Sequence, residues 1–165
     1  MVTAYVTLSA RFQIESTGKA AISFRPVESS FFTNLDSELR ELMRISARST
    51  GTNYHIRDDN YGYRWIVLDD PQFEDLVSIV HTVGETIADH GFGPQLLAAV
   101  FSFREGSREV FWIYNYKRGK FYPFVPEGSQ SRDTAAELRM RTAMERELPI
   151  ERELEQWYGL WGIPF

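Results

Sequence analysis

A chain of 165 residues that is 43% hydrophobic, 15% aromatic and 25% charged has the size of one domain and enough apolar surface for a substantial core. That composition excludes a disordered or fibrous chain, and the absence of cysteine excludes disulfides, thiolate metal sites and a cysteine nucleophile. A net charge of −5 argues against a surface that attracts nucleic acid throughout. No apolar run approaches the ~20 residues of a membrane-spanning helix, and the first residues lack the basic-then-apolar layout of a signal peptide. A single cytoplasmic domain over residues 1–165 is the expectation.

Ala4, Val6, Leu8, Ala10, Phe12 and Ile14 alternate with Thr3, Tyr5, Thr7, Ser9, Arg11 and Gln13, which predicts a long half-buried strand. Thr17-Gly18 predicts a turn, and Ala20, Ile22 and Phe24 a second strand, paired with the first as a hairpin. Beyond Pro26, Ser29 or Ser30 caps a helix with the stripe Phe31, Leu35, Leu39, Leu42 and Met43. Tyr54-His55-Ile56, the turn Asp58-Asp59-Asn60 and the alternating Tyr61, Tyr63, Trp65 and Val67 predict another hairpin. Asp70 as cap and Pro71 as first residue open the next helix, which is buried through Phe73, Leu76, Val77, Val80, Gly84 and Ile87. Gly84, inside that stripe, predicts a close approach to the sheet, and Gly91 stops the helix.

Residues 96–103 and 110–116 are almost continuously apolar and predict central strands. Arg118-Gly119 turns the chain into Phe121-Tyr122-Pro123-Phe124, which Pro123 confines to an edge. A charged helix over about residues 133–147 follows. An aromatic tail over 149–165, containing Trp157 and Trp161, is expected to pack back on the domain. The order ββ-α-ββ-α-βββ-α predicts an α+β fold, an antiparallel sheet built from hairpins with helices packed on one face. The long first strand and the edge strand at Pro123 each offer a route to a homodimer by sheet extension.

Residue chemistry alone names no reaction. There is no glycine-rich phosphate loop after a strand and no Gly-x-Ser-x-Gly elbow, and Ser102 lies in an apolar strand. His55 precedes Asp58-Asp59, a thin basis for a metal because turn aspartates already serve the backbone. His81 reads as a packed or edge histidine and His90 as a charge at a helix end, while Asp69-Asp70 and Glu74-Asp75 read as caps. No catalytic residue, metal ligand or cofactor is therefore expected. The richest local chemistry is the turn carrying Lys117, Arg118 and Lys120 between aromatic residues, Tyr122 among them. It is suited to an acidic partner or to anionic lipid headgroups, and more weakly to single-stranded nucleic acid.

Tyr61-Gly62-Tyr63-x-Trp65, Phe73-Glu74-Asp75-Leu76-Val77 with His81, and Gly91-Phe92-Gly93-x-Gln95-Leu96-Leu97 form an ordered series of motifs. Tyr116-Lys117-Arg118-Gly119-x-Phe121-Tyr122-Pro123-Phe124 and Trp157-Tyr158-x-Leu160-Trp161 continue it. Together they resemble the PspA-associated protein PspAB family over nearly the whole chain. The resemblance implies association with PspA, the coiled-coil phage-shock protein that guards the inner membrane, and brings no catalytic residues with it. It also implies a short segment ahead of the first strand, whereas Met1 falls almost directly on it. The expected function is a non-catalytic cytoplasmic adaptor in an envelope-stress response, with peripheral access to anionic membrane. Lys117, Arg118, Lys120, Tyr122, Trp157 and Trp161 are its expected partner-binding residues. The alternative is a small-ligand binder or enzyme with a pocket lined by Tyr61, Tyr63, Trp65 and the strand aromatics.

Overall fold

The computed structural model describes residues 1–165 and departs from the expected topology at the first element, where Val2–Phe12 is a helix, α1. Ala4, Leu8 and Phe12 satisfy an alternating pattern and a helical one equally, since a spacing of four is common to both. The residues between them decide: Tyr5, expected on the wet face, packs on Phe73 and Phe103, while Val6 is 64% exposed. Gln13, at a φ of 57°, ends the helix, and its N–H is donated back to the carbonyls of Leu8 and Ser9.

The strands are β1 (Glu15–Phe24), β2 (Asn53–Asp58), β3 (Arg64–Asp69), β4 (Leu96–Glu105), β5 (Arg108–Asn115) and β6 (Lys120–Phe124). They form one antiparallel sheet in the order β2-β3-β1-β4-β5-β6. With no strand before it, β1 has no hairpin partner and lies centrally between β3 and β4. Gly18 is therefore no turn. It sits at a φ of +80° where the register against β4 shifts, and its carbonyl accepts from the Asp70 N–H. The fold is α+β, with an antiparallel sheet of successive hairpins as expected.

Ile66, Ile22, Ala99, Tyr114 and Phe121 are paired across the sheet and share one face. Three helices cover that face. Phe32 of α2 (Ser30–Thr50) meets Phe24, Phe73 of α3 (Phe73–Ile87) meets Phe101 and Phe103, and Tyr5 of α1 stacks on Phe103. Ser29 caps α2 by accepting from the Phe32 N–H. The buried stripe of α2 is Phe32, Leu35, Leu39 and Met43, so Phe31, expected inside, is 75% exposed. At the start of α3 the cap position is Gln72, and buried Asp70 stands two residues before it. Its carboxylate accepts from the Gln72 N–H and the Thr52 hydroxyl, which ties the helix start to the residue just before β2, and Pro71 precedes the helix.

After β6, a two-residue hairpin, β7 (Pro126–Glu127) with β8 (Ser131–Arg132), leads into α4 (Thr134–Met144). Asp133 caps α4 through the Ala136 N–H. The chain then returns along β6: the Phe121 N–H donates to the Pro149 carbonyl and the Glu151 N–H to the Phe121 carbonyl, both at 2.8 Å. This crossing occupies the edge that Pro123 was expected to leave open, and the expected long first strand does not exist. Both proposed routes to a homodimer are thereby lost. The open edge is β2 instead. The tail contains one short 3₁₀ turn, Leu154–Gln156, and then lies on the sheet face away from the helices. There Trp157 stacks on Tyr122, Trp161 meets Phe124 edge-on and Phe165 stacks on Phe111. No helix is long and apolar enough to cross a membrane.

Candidate functional site

The β5–β6 turn is shaped by Asn115, whose side-chain oxygen accepts the backbone N–H groups of Lys117 and Arg118. Gly119, at a φ of +64°, lets the chain reverse. The three expected cations then part company. Arg118 makes a two-pronged contact with buried Glu151, Nε to Oε2 at 2.9 Å and Nη2 to Oε1 at 2.8 Å, and reaches Glu153 at 3.4 Å. Those bonds hold the Glu151 carboxyl below its ordinary range. Lys117 and Lys120 are exposed and have no carboxylate partner.

The Arg118–Glu151 pair is half of a clamp on the tail. The backbone oxygen of Glu151 accepts from Trp157 Nε1 at 2.9 Å, and Tyr122 Oη donates to the Tyr158 carbonyl at 2.8 Å. On the far side Arg132 Nε bonds both oxygens of Glu137, at 3.0 and 2.9 Å, while Nη1 donates to the Trp157 carbonyl at 2.6 Å. The Arg132 guanidinium also lies over the Phe124 ring. Glu137 is 1% exposed and takes a third bond from the Val125 N–H; burial pushes its carboxyl up, opposed by Arg132 and Val125. Tyr122 and Trp157, expected to face a partner, are 2% and 5% exposed. With Arg118 they fix the tail from within. Trp161, at 36%, stays at the surface with Tyr158 and Leu154.

On the other side of the 149–152 crossing lies a groove of about 570 Å³ whose walls carry Lys120, Arg141, Arg146 and Arg152. None of the four has a carboxylate within ion-pair distance, as is also true of the scattered Arg11, Arg25, Arg48, Arg57 and Arg139; what sets the four apart is that they line one hollow. Glu145 is the one acidic residue in the groove, and the buried Leu148 and Ile150 form its floor. Sequence reading found Lys120 but missed the arginines. They are scattered over 141–152, and only the crossing of the chain over β6 gathers them.

A second hollow, an apolar cleft of about 520 Å³, opens between α3 and strands β4 to β6. Tyr114, Tyr116 and Phe121 form one wall, Val77, Val80 and Gly84 the other. A Cβ at Gly84 would sit 2.9 Å from Tyr116 Oη and push that ring end aside, so the expected close approach is to the Tyr116 side chain. Burial raises the Tyr116 hydroxyl well above the ordinary tyrosine value. Of the residues expected around a pocket, Tyr61 is 81% exposed at the β2–β3 turn, Tyr63 lies under the Arg25 guanidinium and Trp65 is on the opposite sheet face, so none of the three lines this cleft. The strand aromatics do.

The remaining candidates, His55 apart, have structural partners. Asp58 is held below its ordinary range by hydrogen bonds from Arg64. Burial raises Asp59, but bonds from Trp65 Nε1, Tyr63 and Tyr61 outweigh it and leave the group low. His55 lies on the sheet face opposite Asp58, two residues from Arg57. His81, on the exposed side of α3, pairs with Glu85, and His90 joins the end of α3 to Glu38 of α2. Tyr122 and Phe124, needed for base stacking in the nucleic-acid reading, are buried.

Fold and surface thus define an α+β protein in which two arginines clamp its own tail and four further cations line a groove beside it. The family model for PspAB, PspA associated protein B, matches residues 1–165, and the chain belongs to that family. The family name indicates association with PspA. No curated protein and no solved structure matches the chain.

Proposed function

We propose that the protein is a non-catalytic adaptor in an envelope-stress response, acting in the cytoplasm on a PspA-like coiled coil. The match of the whole chain to the PspAB family carries this reading. The contact surface is the part of the expected set that is at the surface and not engaged by a carboxylate, Lys117, Lys120 and Trp161, joined by Tyr158 and Leu154 of the tail. Aromatic side chains beside uncompensated cations suit an acidic helical partner, the rings as anchors and the charges as steering groups. A pull-down of the PspA-like protein with the intact chain tests it. Lys117→Glu/Lys120→Glu and Tyr158→Ala/Trp161→Ala each weaken retention at least tenfold, and undiminished retention by both variants defeats the surface.

The apolar cleft favours a second reading, a small apolar ligand held between α3 and the strand aromatics. A thermal-shift screen separates the two. A ligand at about a hundred times its dissociation constant stabilises by ~2.7 kcal/mol, and Gly84→Val, which drives a side chain into Tyr116, removes that shift without touching partner retention.

A further inference from the structure

Apart from Lys120, which it shares with the proposed partner surface, the groove beside the tail has a composition that neither the family match nor that surface accounts for. Its cations come from three separate elements. Lys120 opens β6, Arg141 lies in the last turn of α4 with Arg146 just beyond it, and Arg152 follows the crossing segment. The negative end of α4 accounts for a cation or two near residue 144, but Lys120 and Arg152 are brought there from elsewhere. The paired main-chain bonds between Phe121 and residues 149 and 151 set them side by side. The floor residues Leu148 and Ile150 are 5% and 7% exposed, so the backbone carrying Arg146 and Arg152 is anchored to the core. Four like charges around one hollow repel each other and persist where an anion offsets them. Three of the four are guanidinium groups, whose planar forks match phosphate oxygens two at a time.

We propose that this groove is a binding site for a phosphate-bearing anion, held by Lys120, Arg141, Arg146 and Arg152. A phosphorylated metabolite and a lipid headgroup present the same chemistry, and two probes distinguish them: inorganic pyrophosphate followed by calorimetry, and flotation with phosphatidylglycerol vesicles against phosphatidylcholine vesicles. The full chain binds at least one of the anionic probes at low salt, and binding weakens steeply as salt rises. Arg146→Gln/Arg152→Gln weakens it at least tenfold, while Arg48→Gln/Arg57→Gln, which removes two unpaired cations from α2 and β2, leaves it unchanged. Saturable pyrophosphate binding without flotation assigns a free phosphate compound; flotation with phosphatidylglycerol alone assigns a headgroup. In the unaltered protein, amide shifts on pyrophosphate addition fall on Lys120 and on residues 141–152, a readout independent of any variant's folding. Equal loss in the two double variants, indifference to both probes, or binding only of a glutamate-rich helical peptide overturns the assignment.

Discussion

Two groups of cations flank the same stretch of chain, residues 149–157, and do opposite things. Arg118 and Arg132 are each forked onto a buried carboxylate, Glu151 and Glu137, and through those pairs they hold the tail on the sheet. Lys120, Arg146 and Arg152, close by in space, have no ion-pair partner and line an open groove. The contrast teaches that a basic run in a sequence is not a unit. Within Lys117-Arg118-Gly119-Lys120 all three cations are exposed, but Arg118 is engaged by Glu151 of the tail segment and the two lysines are left without a carboxylate.

Breaking the clamp on its Arg132 side gives the largest expected effect. Arg132→Met leaves Glu137 buried without its counter-charge, which costs about 3–5 kcal/mol in thermal or chemical unfolding. Replacing both partners, Arg132→Met with Glu137→Leu, recovers much of that loss, because the buried charge is gone as well. Trp157→Ala empties a buried site stacked on Tyr122 and costs about 3–5 kcal/mol on its own. Arg118→Ala releases one anchor, read as faster amide exchange over residues 151–158 while the central strands stay protected.

Acid sharpens the comparison further. Glu151 and Asp133 have folded values held below ordinary, by hydrogen bonds from Arg118 and from the Ala136 N–H respectively. Their contribution is complete above the ordinary carboxylate range and is lost as pH falls through the folded values. Glu137 has the opposite sign: its raised value favours the folded state at low pH and draws on stability as pH rises past 4.5. Unfolding followed by near-ultraviolet circular dichroism therefore shows stability lost below about pH 4 in the unaltered protein. Glu151→Gln, less stable at neutral pH, has a shallower acid slope. The smallest effect belongs to the groove: Arg146→Gln/Arg152→Gln changes stability by no more than about 0.5 kcal/mol.

The hairpins and the two long helices were legible because their patterns fit one period only. The step of three from Leu39 to Leu42 keeps a helical period and breaks a strand's, and residues 96–103 are too short for a buried helix. The first element was misread because Ala4, Leu8 and Phe12 belong to both periods, and only packing of Tyr5 on Phe73 and Phe103 resolves them. Phe31 and Phe32 are adjacent, and nothing local says which turns inward. The turn cations and terminal tryptophans were visible as residue types, but burial of Tyr122 and Trp157 is decided by how the tail lies. The groove was invisible for a simpler reason. Lys120 and Arg152 are brought together by a backbone crossing onto β6 that no local signal announces.

The account rests on partner contact through the cations that no carboxylate neutralises. Its most direct test is titration of the PspA-like protein onto the intact chain and onto Lys117→Glu/Lys120→Glu, at low and at physiological salt. The account predicts saturable binding by the intact chain that weakens with salt, and binding at least tenfold weaker with little remaining salt dependence in the variant. Equal affinity and equal salt dependence in the two proteins, with both folded, contradict it.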